Sequence, residues 1–361
     1  MEMAIKSIST HLLALMLGMA VVTLWPRGER AVSNERTRAN PLMDSRKSST
    51  RKQQRQHLIS GKFRQLLLAP QMNREITRSD LDSWIESMKD DPTAKGQALA
   101  IAGMMLDDPE LIREGIASDP NNPHILFIGA NALTFDTKER LELTKRLMEI
   151  DSDNALVAYM TASQLMANGN QEQAMNIMKD VGGRSQMKDY GNLTQLLTEE
   201  AYIASGLSPH AASIRSTYDY ALPYLIEMKS LAKCMISMHG SMTSEELAES
   251  RQLVATMGYR LSNQTKSKTL VNQLFGISLE LSTLEGMPDD APSVYHGLTI
   301  REARANILAE KESLVKAAEQ FGDHQDRLMD DPDLMQQYIQ RFRLTGEMEA
   351  LQWLNRKLQA E

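Results

Sequence analysis

The chain is poor in cysteine and in aromatic residues, and both shortages limit what it can be. Its 361 residues contain one cysteine, Cys234, which cannot form a disulfide within the chain or build a thiolate metal site alone. Aromatic residues make up 5% of the chain, and residues that favour strands are scarce throughout, so we expect almost no β-structure. The hydrophobic fraction of 42% is that of a globular protein, and the 24 methionines suit helices.

Sequence signatures of catalysis are also absent. The patterns G-x-S-x-G, H-E-x-x-H and C-x-x-C do not occur, nor does a phosphate-binding glycine loop. No two of the seven histidines stand three or four positions apart, the spacing that places two metal ligands on one helix face. The sequence therefore predicts no catalytic residues, no cofactor and no metal site. The alternative is an all-helical enzyme whose site is assembled from scattered Asp, Glu and His residues.

Charge divides the chain into a basic stretch and an acidic body. Residues 27–64 hold eleven Lys and Arg against three Asp and Glu, whereas residues 65–361 hold 28 against 43. An acidic body argues against a nucleic-acid-binding domain, whose footprint would be basic. Residues 26–64 also contain few large apolar side chains, so we expect a disordered basic linker. A patch that binds anionic lipid is the alternative for this stretch.

An apolar run, "LLALMLGMAVVTLW", lies close to the N-terminus at residues 12–25. Its 14 residues fall short of the roughly 20 that a membrane span needs, and they suit the core of a signal peptide. Ile5 and Ile8 could extend the run into an uncleaved anchor over residues 5–25. Residues 1–25 are therefore predicted to be a signal peptide or a membrane anchor. The short tail before the run favours an extracytoplasmic body, whereas the arginines after it favour a cytoplasmic one.

From Gln65 onwards the signals are helical. In "SDLDSWIESMKDDP", apolar residues recur at the spacing of one helix face, at Leu81, Trp84, Ile85 and Met88. Helix starts are marked by acidic and amide caps at Asp108, Asp136 and Asn170. Residues 65–361 are therefore predicted to form an all-α domain, in which one helix covers about 123–135. Further helices are predicted at about 186–205, 209–218, 221–239, 243–261, 266–285, 299–321, 332–344 and 347–359.

The body also shows a repeat. "DSDNALVAYMTASQLMANGNQEQAMNIMKD", from Asp151 to Asp180, reads as helix, turn and helix. "DPNN" at Asp119 precedes "DSDN" by 32 residues, and "DDP" at Asp90 lies about 30 residues earlier still. A period in the low thirties with this content is typical of a helical array. The loop signal at 286–297 could divide the array into lobes 65–285 and 298–361, and the last hairpin would cap it.

This stretch resembles the tetratricopeptide repeat family, closely over 153–181 and loosely over 91–181. The residues that carry the likeness are Ala158, Tyr159, Ala162, Leu165, Gly169, Ala174 and Met178. The resemblance implies a solenoid of antiparallel hairpins whose first helices line a groove for a protein or peptide partner. The groove positions that it implies here are His124, Phe127, Asn131, Leu156, Tyr159 and Ser163. The alternative is that these side chains only pack against neighbouring helices or face solvent.

Together these features predict a membrane-tethered or exported helical-repeat scaffold that binds a protein partner. Two other hypotheses stay open beside it. One is the all-helical enzyme described above. The other is a structural subunit of an envelope complex, which a large exposed apolar patch would indicate.

Overall fold

Helices dominate the computed structural model, which describes residues 74–220, 222–265, 268–295 and 297–360. Within these ranges there are fifteen α-helices and no β-strand, so the predicted all-α class is confirmed. The predicted N-terminal apolar segment and basic linker lie outside the described residues. The helices are α1 Arg78–Ser87, α2 Pro92–Leu106, α3 Pro109–Ser118, α4 Pro123–Asn131, α5 Thr137–Ile150, α6 Ala155–Ala167, α7 Gln171–Asp180, α8 Gly191–Ala204, α9 Pro209–Tyr218, α10 Tyr224–Ser237, α11 Ser244–Asn263, α12 Leu270–Thr283, α13 Ile300–Asp330, α14 Pro332–Thr345 and α15 Glu347–Gln359.

Local sequence determines where most helices begin. Asp108 stands before a proline, and its carboxylate accepts hydrogen bonds from the first free N–H groups of α3. Asp136 caps α5 in the same way through the Glu139 N–H, at 2.8 Å. Asn170 differs from the prediction, because its side chain makes no capping bond. That turn is formed instead by Gly169 at φ 79° and by the Asn170 N–H, which donates to the Leu165 carbonyl.

Several helix boundaries differ from those predicted. The helix expected over 123–135 ends at Asn131, where the Ala132 N–H bonds to the Gly129 carbonyl and tightens the last turn. The helix expected from 186 begins at Gly191, because Tyr190 adopts a left-handed conformation at φ 52°. The helix expected over 299–321 continues to Asp330.

The first half of the body consists of three hairpins, α2–α3, α4–α5 and α6–α7. The second helix of each hairpin is amphipathic, with few buried positions. The first helices differ. Almost every residue of α4 and α6 is buried, whichever face it occupies. A helix buried on all sides needs neighbours on all sides, so further elements must cover α4 and α6.

A third layer supplies that cover. Helices α1 and α8 pack on α2, and α10 packs on α6. Between them, Tyr190 and Tyr224 place their rings against Phe127 of α4. The first helices therefore form the middle of three helical layers, between their own hairpin partners and the layer that contains α1, α8 and α10.

Two hairpins owe their close contact to glycine. A Cβ atom added at Gly115 of α3 would lie 2.7 Å from the carbonyl oxygen of Gly96 in α2. A Cβ atom at Gly258 of α11 would lie 2.7 Å from the carbonyl oxygen of Gly276 in α12. Only glycine allows backbones to approach so closely, so these positions set the spacing within both hairpins.

The C-terminal part continues with α12 against the long α13, and with α14 and α15 against α13. The loop 286–297 contacts the helices beside it, since the Tyr295 hydroxyl donates to Glu280 Oε2 of α12 at 2.7 Å. The division into lobes at this loop stays a prediction. No helix in the described part of the chain is long and apolar enough to cross a membrane.

Candidate functional site

The six residues predicted to line a groove lie on two helices, and all are buried. His124, Phe127 and Asn131 belong to α4, and Leu156, Tyr159 and Ser163 belong to α6. Their exposed fractions run from 0 to 8%. One later helix covers both sets, because α10 contributes Tyr224 against Phe127 and Glu227 against Ser163, the latter at 2.9 Å.

His124 is enclosed between α2 and α8. Its Nε2 lies 3.0 Å from Thr194 Oγ1 of α8, and its Nδ1 lies 3.5 Å from Gln97 Nε2 of α2. The Thr194 hydroxyl donates to the Tyr190 carbonyl, so its oxygen accepts a hydrogen bond from the N–H at His124 Nε2. Burial lowers the pKa of His124 to about 4, and the imidazole is therefore neutral at neutral pH.

An aromatic cluster surrounds Phe127. The ring centroid of Tyr190 lies 5.2 Å away at a tilt of 50°, and that of Tyr224 lies 6.3 Å away at 56°. The Tyr224 hydroxyl lies 3.0 Å from both Asp189 Oδ2 and Asn272 Oδ1. Burial and the nearby Asp189 carboxylate raise the pKa of Tyr224 well above its usual value. The cluster ties α4, α10 and α12 together.

An ion pair joins α5 to α10 beside Ser163. The Arg140 guanidinium of α5 pairs with the Glu227 carboxylate of α10, and both side chains are largely buried. Arg140 Nε also donates to the Ala130 carbonyl at 3.1 Å, and Ser163 Oγ donates to Glu227. These bonds satisfy the charges where little water reaches them, which a buried pair requires.

The remaining predicted residues also have contacts inside the chain. Asn131 Nδ2 donates to the Phe127 carbonyl at 2.9 Å, and Leu156 and Tyr159 belong to the hydrophobic core. A partner could reach His124, Phe127 and Ser163 only if α8 and α10 moved away. Their role in binding stays a prediction, while their contacts in the structure are those of the packing alternative. The sequence signal for this burial is the absence of a polar face in "HILFIGAN" and "ALVAYMTASQLMA".

The outer face of the hairpins, formed by the second helices, has two open clefts. The cleft between α3 and α5 holds about 280 Å³. Its Arg113 donates to both carboxylate oxygens of Glu139, each at 2.9 Å, and lies over the Phe135 ring. The Arg113 guanidinium is therefore already bonded to residues of its own chain. The full lining is Arg113, Ile116, Glu139, Glu142, Leu143 and Arg146.

The second cleft lies between α5, α6 and α7 and holds about 390 Å³; we call it the α5–α7 cleft. Its apolar lining consists of Met148, Leu165 and Ile177. Its polar lining consists of Lys145, Glu149, Thr161, Gln173 and Asn176. Met148 and Ile177 are half-buried, so part of each side chain is open to a partner. Apolar contacts beside polar ones are the usual arrangement at a protein interface. The sequence does not indicate this cleft, because the cleft forms between helices of two successive hairpins.

Among the residues that the structure describes, no group of three or more His, Cys, Asp or Glu side chains is placed to hold a metal ion. Cys234 is half-buried on α10. No family model, no curated protein and no solved structure matches this chain. The functional interpretation therefore rests on the contacts described above.

Proposed function

We propose that this protein is a helical-repeat scaffold, tethered to a membrane or exported, that binds a protein or peptide partner. The binding surface in this proposal is the outer face formed by α3, α5 and α7. The observation that carries it is the α5–α7 cleft, where the half-buried Met148 and Ile177 stand beside polar side chains on a face that the described chain leaves open. The tetratricopeptide-like repeat is part of the same proposal, supported by three successive hairpins in which the second helices are amphipathic.

The chemistry of the cleft suggests the kind of partner. Met148 and Ile177 can receive apolar side chains from an amphipathic helix or an extended peptide, above the buried Leu165. Lys145 and Glu149 stand beside them with opposite charges, so the cleft does not select strongly for an anion or a cation. A partner with apolar anchors flanked by polar residues fits this surface best.

The test is cross-linking capture in the native host with the full-length chain tagged at its C-terminus. One sample carries Met148→Asp and Ile177→Asp, which put charge into the apolar part of the cleft. The matched control is Leu308→Asp on α13, where an apolar side chain is 46% exposed away from the cleft. We expect one partner to recur with the wild type and with the control, and to be lost with the double variant.

Two results would count against the proposal. Either no partner recurs, or the double variant retains the same partner as the wild type. Phe127→Ala and Tyr159→Ala are poor probes, because both side chains are buried and their removal would destabilise the fold by about 3–5 kcal/mol each.

The enzyme hypothesis requires a pocket in which carboxyl groups of perturbed pKa converge. Burial raises the pKa of the Glu280, Glu310 and Glu347 carboxyls. None of these three residues lines either of the two clefts. The hypothesis stays open, but the clefts give it no support.

A further inference from the structure

Helix α8 carries a line of exposed apolar side chains. Leu193, Leu196 and Ile203 are 37%, 47% and 41% exposed, and they stand three and seven positions apart on one side of the helix. The opposite side, which includes Thr194 and Ala201, is buried. We call these three residues the α8 stripe. Its length is about 15 Å, from ten residues at the rise of an α-helix. Single exposed apolar residues are ordinary, but an aligned set suggests a covering element.

The described chain begins beside one end of this stripe. The Arg74 carbonyl accepts a hydrogen bond from Arg215 Nη1 of α9 at 2.9 Å. The Arg74 guanidinium lies 3.2 Å from where a Cβ atom on Gly206 would stand. Gly206 follows Ile203 by three residues, in the turn after α8. The chain that precedes Arg74 therefore joins the body next to the C-terminal end of the α8 stripe.

The sequence just before Arg74 has the chemistry to cover the stripe. "KFRQLLLAPQM", residues 62–72, places Phe63, Leu66 and Leu67 at the spacing of one helix face. Lys62 and Arg64 flank this apolar set with positive charge. On the body, the exposed Glu200 stands between Leu196 and Ile203 and offers the opposite charge.

Distance and concentration both favour this segment as the occupant. Leu66 precedes Arg74 by eight residues, which span at most about 27 Å when extended and can therefore reach the whole stripe. A segment joined by so short a linker acts at an effective concentration on the order of millimolar, above that of most free partners.

We propose that residues 63–68 of this chain pack Phe63, Leu66 and Leu67 on the α8 stripe. Docking covers the exposed apolar line and pairs the basic flank of the segment with Glu200. It also fixes where the basic linker leaves the body, at α8 and away from the α5–α7 cleft on the opposite layer. The inference does not depend on the proposed partner-binding function.

Paired cysteines test this contact in the full-length chain. In a Cys234→Ser background, Lys62→Cys and Glu200→Cys put thiols in place of two charges that the proposed docking brings together, without removing an apolar contact. The control pairs Lys62→Cys with Glu312→Cys, an exposed acidic position on α13. Both proteins are oxidised in intact cells, and cross-linked peptides are identified by mass spectrometry. We expect the Glu200 pair to form an intramolecular disulfide about tenfold faster than the control, because docking raises the local concentration.

A second measurement uses proteolysis. In the full-length wild type, docking should slow tryptic cleavage after Lys62 and Arg64. Leu193→Asp with Leu196→Asp should speed that cleavage about fivefold or more, since it removes the apolar surface while both positions are solvent-exposed. Equal disulfide rates in the two pairs, or unchanged cleavage in the double variant, would overturn the proposal. A disulfide between two chains would overturn it in favour of a second copy on the stripe.

Discussion

The titration of His124 tests directly whether the inner face of the first helices is covered. His124 is 2% exposed, and its two ring nitrogens face Thr194 and Gln97. An imidazole that lined an open groove would keep a pKa near 6.5. Burial beneath α8 instead lowers the pKa of His124 to about 4. The pKa of His124 thus differs by more than two units between the open and the covered arrangement.

The same difference has a cost in stability. Between pH 6.5 and 4 the unfolded chain binds a proton at His124 that the folded chain does not, so stability falls as the pH is lowered through this window. A gap of this size corresponds to about 3 kcal/mol of unfolding free energy, lost in full near pH 4. His124→Gln keeps a donor for Thr194 and removes the titrating group. We expect this variant to lose about 1–2 kcal/mol at pH 7 and to be less sensitive to acid than the wild type.

Two measurements check this expectation. Histidine NMR spectra of the wild type, with the His124 signal assigned by its absence from His124→Gln, should show no titration of that signal above pH 5. Urea unfolding at a series of pH values should give a steeper acid slope for the wild type than for the variant. A His124 signal that titrates near pH 6.5, or equal slopes for the two proteins, would refute the covered arrangement. Either result would mean that the inner face of the first helices is open to a partner.

Three further substitutions test the packing around this face and beyond it. Gly276→Ala should lower the unfolding free energy measured in urea by about 1–3 kcal/mol, because its Cβ atom would lie 2.6 Å from a backbone nitrogen of α11. The control, Gly240→Ala, has open space around it and should change stability by less than about 0.5 kcal/mol. Burial raises the pKa of Glu347 to about 7, so the folded chain holds this proton more tightly and the wild type should lose stability from pH 4.5 to 7. Glu347→Gln should reduce this pH-dependent loss of stability by about 1–2 kcal/mol, a discounted figure because the side chain is only half-buried. A wild-type urea midpoint that does not change between pH 5 and 8 would contradict the raised pKa of Glu347. Glu227→Leu should lower the unfolding free energy by about 3 kcal/mol, because it leaves Arg140 without its carboxylate partner. Adding Arg140→Met should recover part of this stability in thermal unfolding. A double variant no more stable than the single one would argue against the ion pair.

Helix starts could be predicted from the sequence because their causes are local. Asp108 and Asp331 each stand before a proline and accept N–H bonds within three residues. Thr243 and Thr299 form capping boxes with the glutamates three residues on. Each of these signals is complete within four residues of chain, so no knowledge of the rest of the fold is needed.

The boundaries that sequence reasoning missed depend on contacts between distant residues. Helix α8 starts late because Tyr190 turns into the left-handed region. Its hydroxyl donates to Asp151 at 2.5 Å, and its ring packs on Phe127. Both partners lie more than 35 residues earlier in the chain. Residues 186–205 include neither partner, so the helical period within them predicts a helix start that is too early.

The location of the candidate binding surface depends on which helices cover the first helices of the hairpins. The resemblance predicts which residues of α4 and α6 share a face, and the structure does place Phe127 and Ser163 under one covering helix. A repeat pattern, however, describes contacts between neighbouring hairpins and carries no information on α10, which begins more than 50 residues after the last residue of α6. The polarity of the helices does carry that information. A first helix without a polar face must be buried on every side, while its amphipathic partner keeps one side in water. The surface open to a partner is therefore expected on α3, α5 and α7.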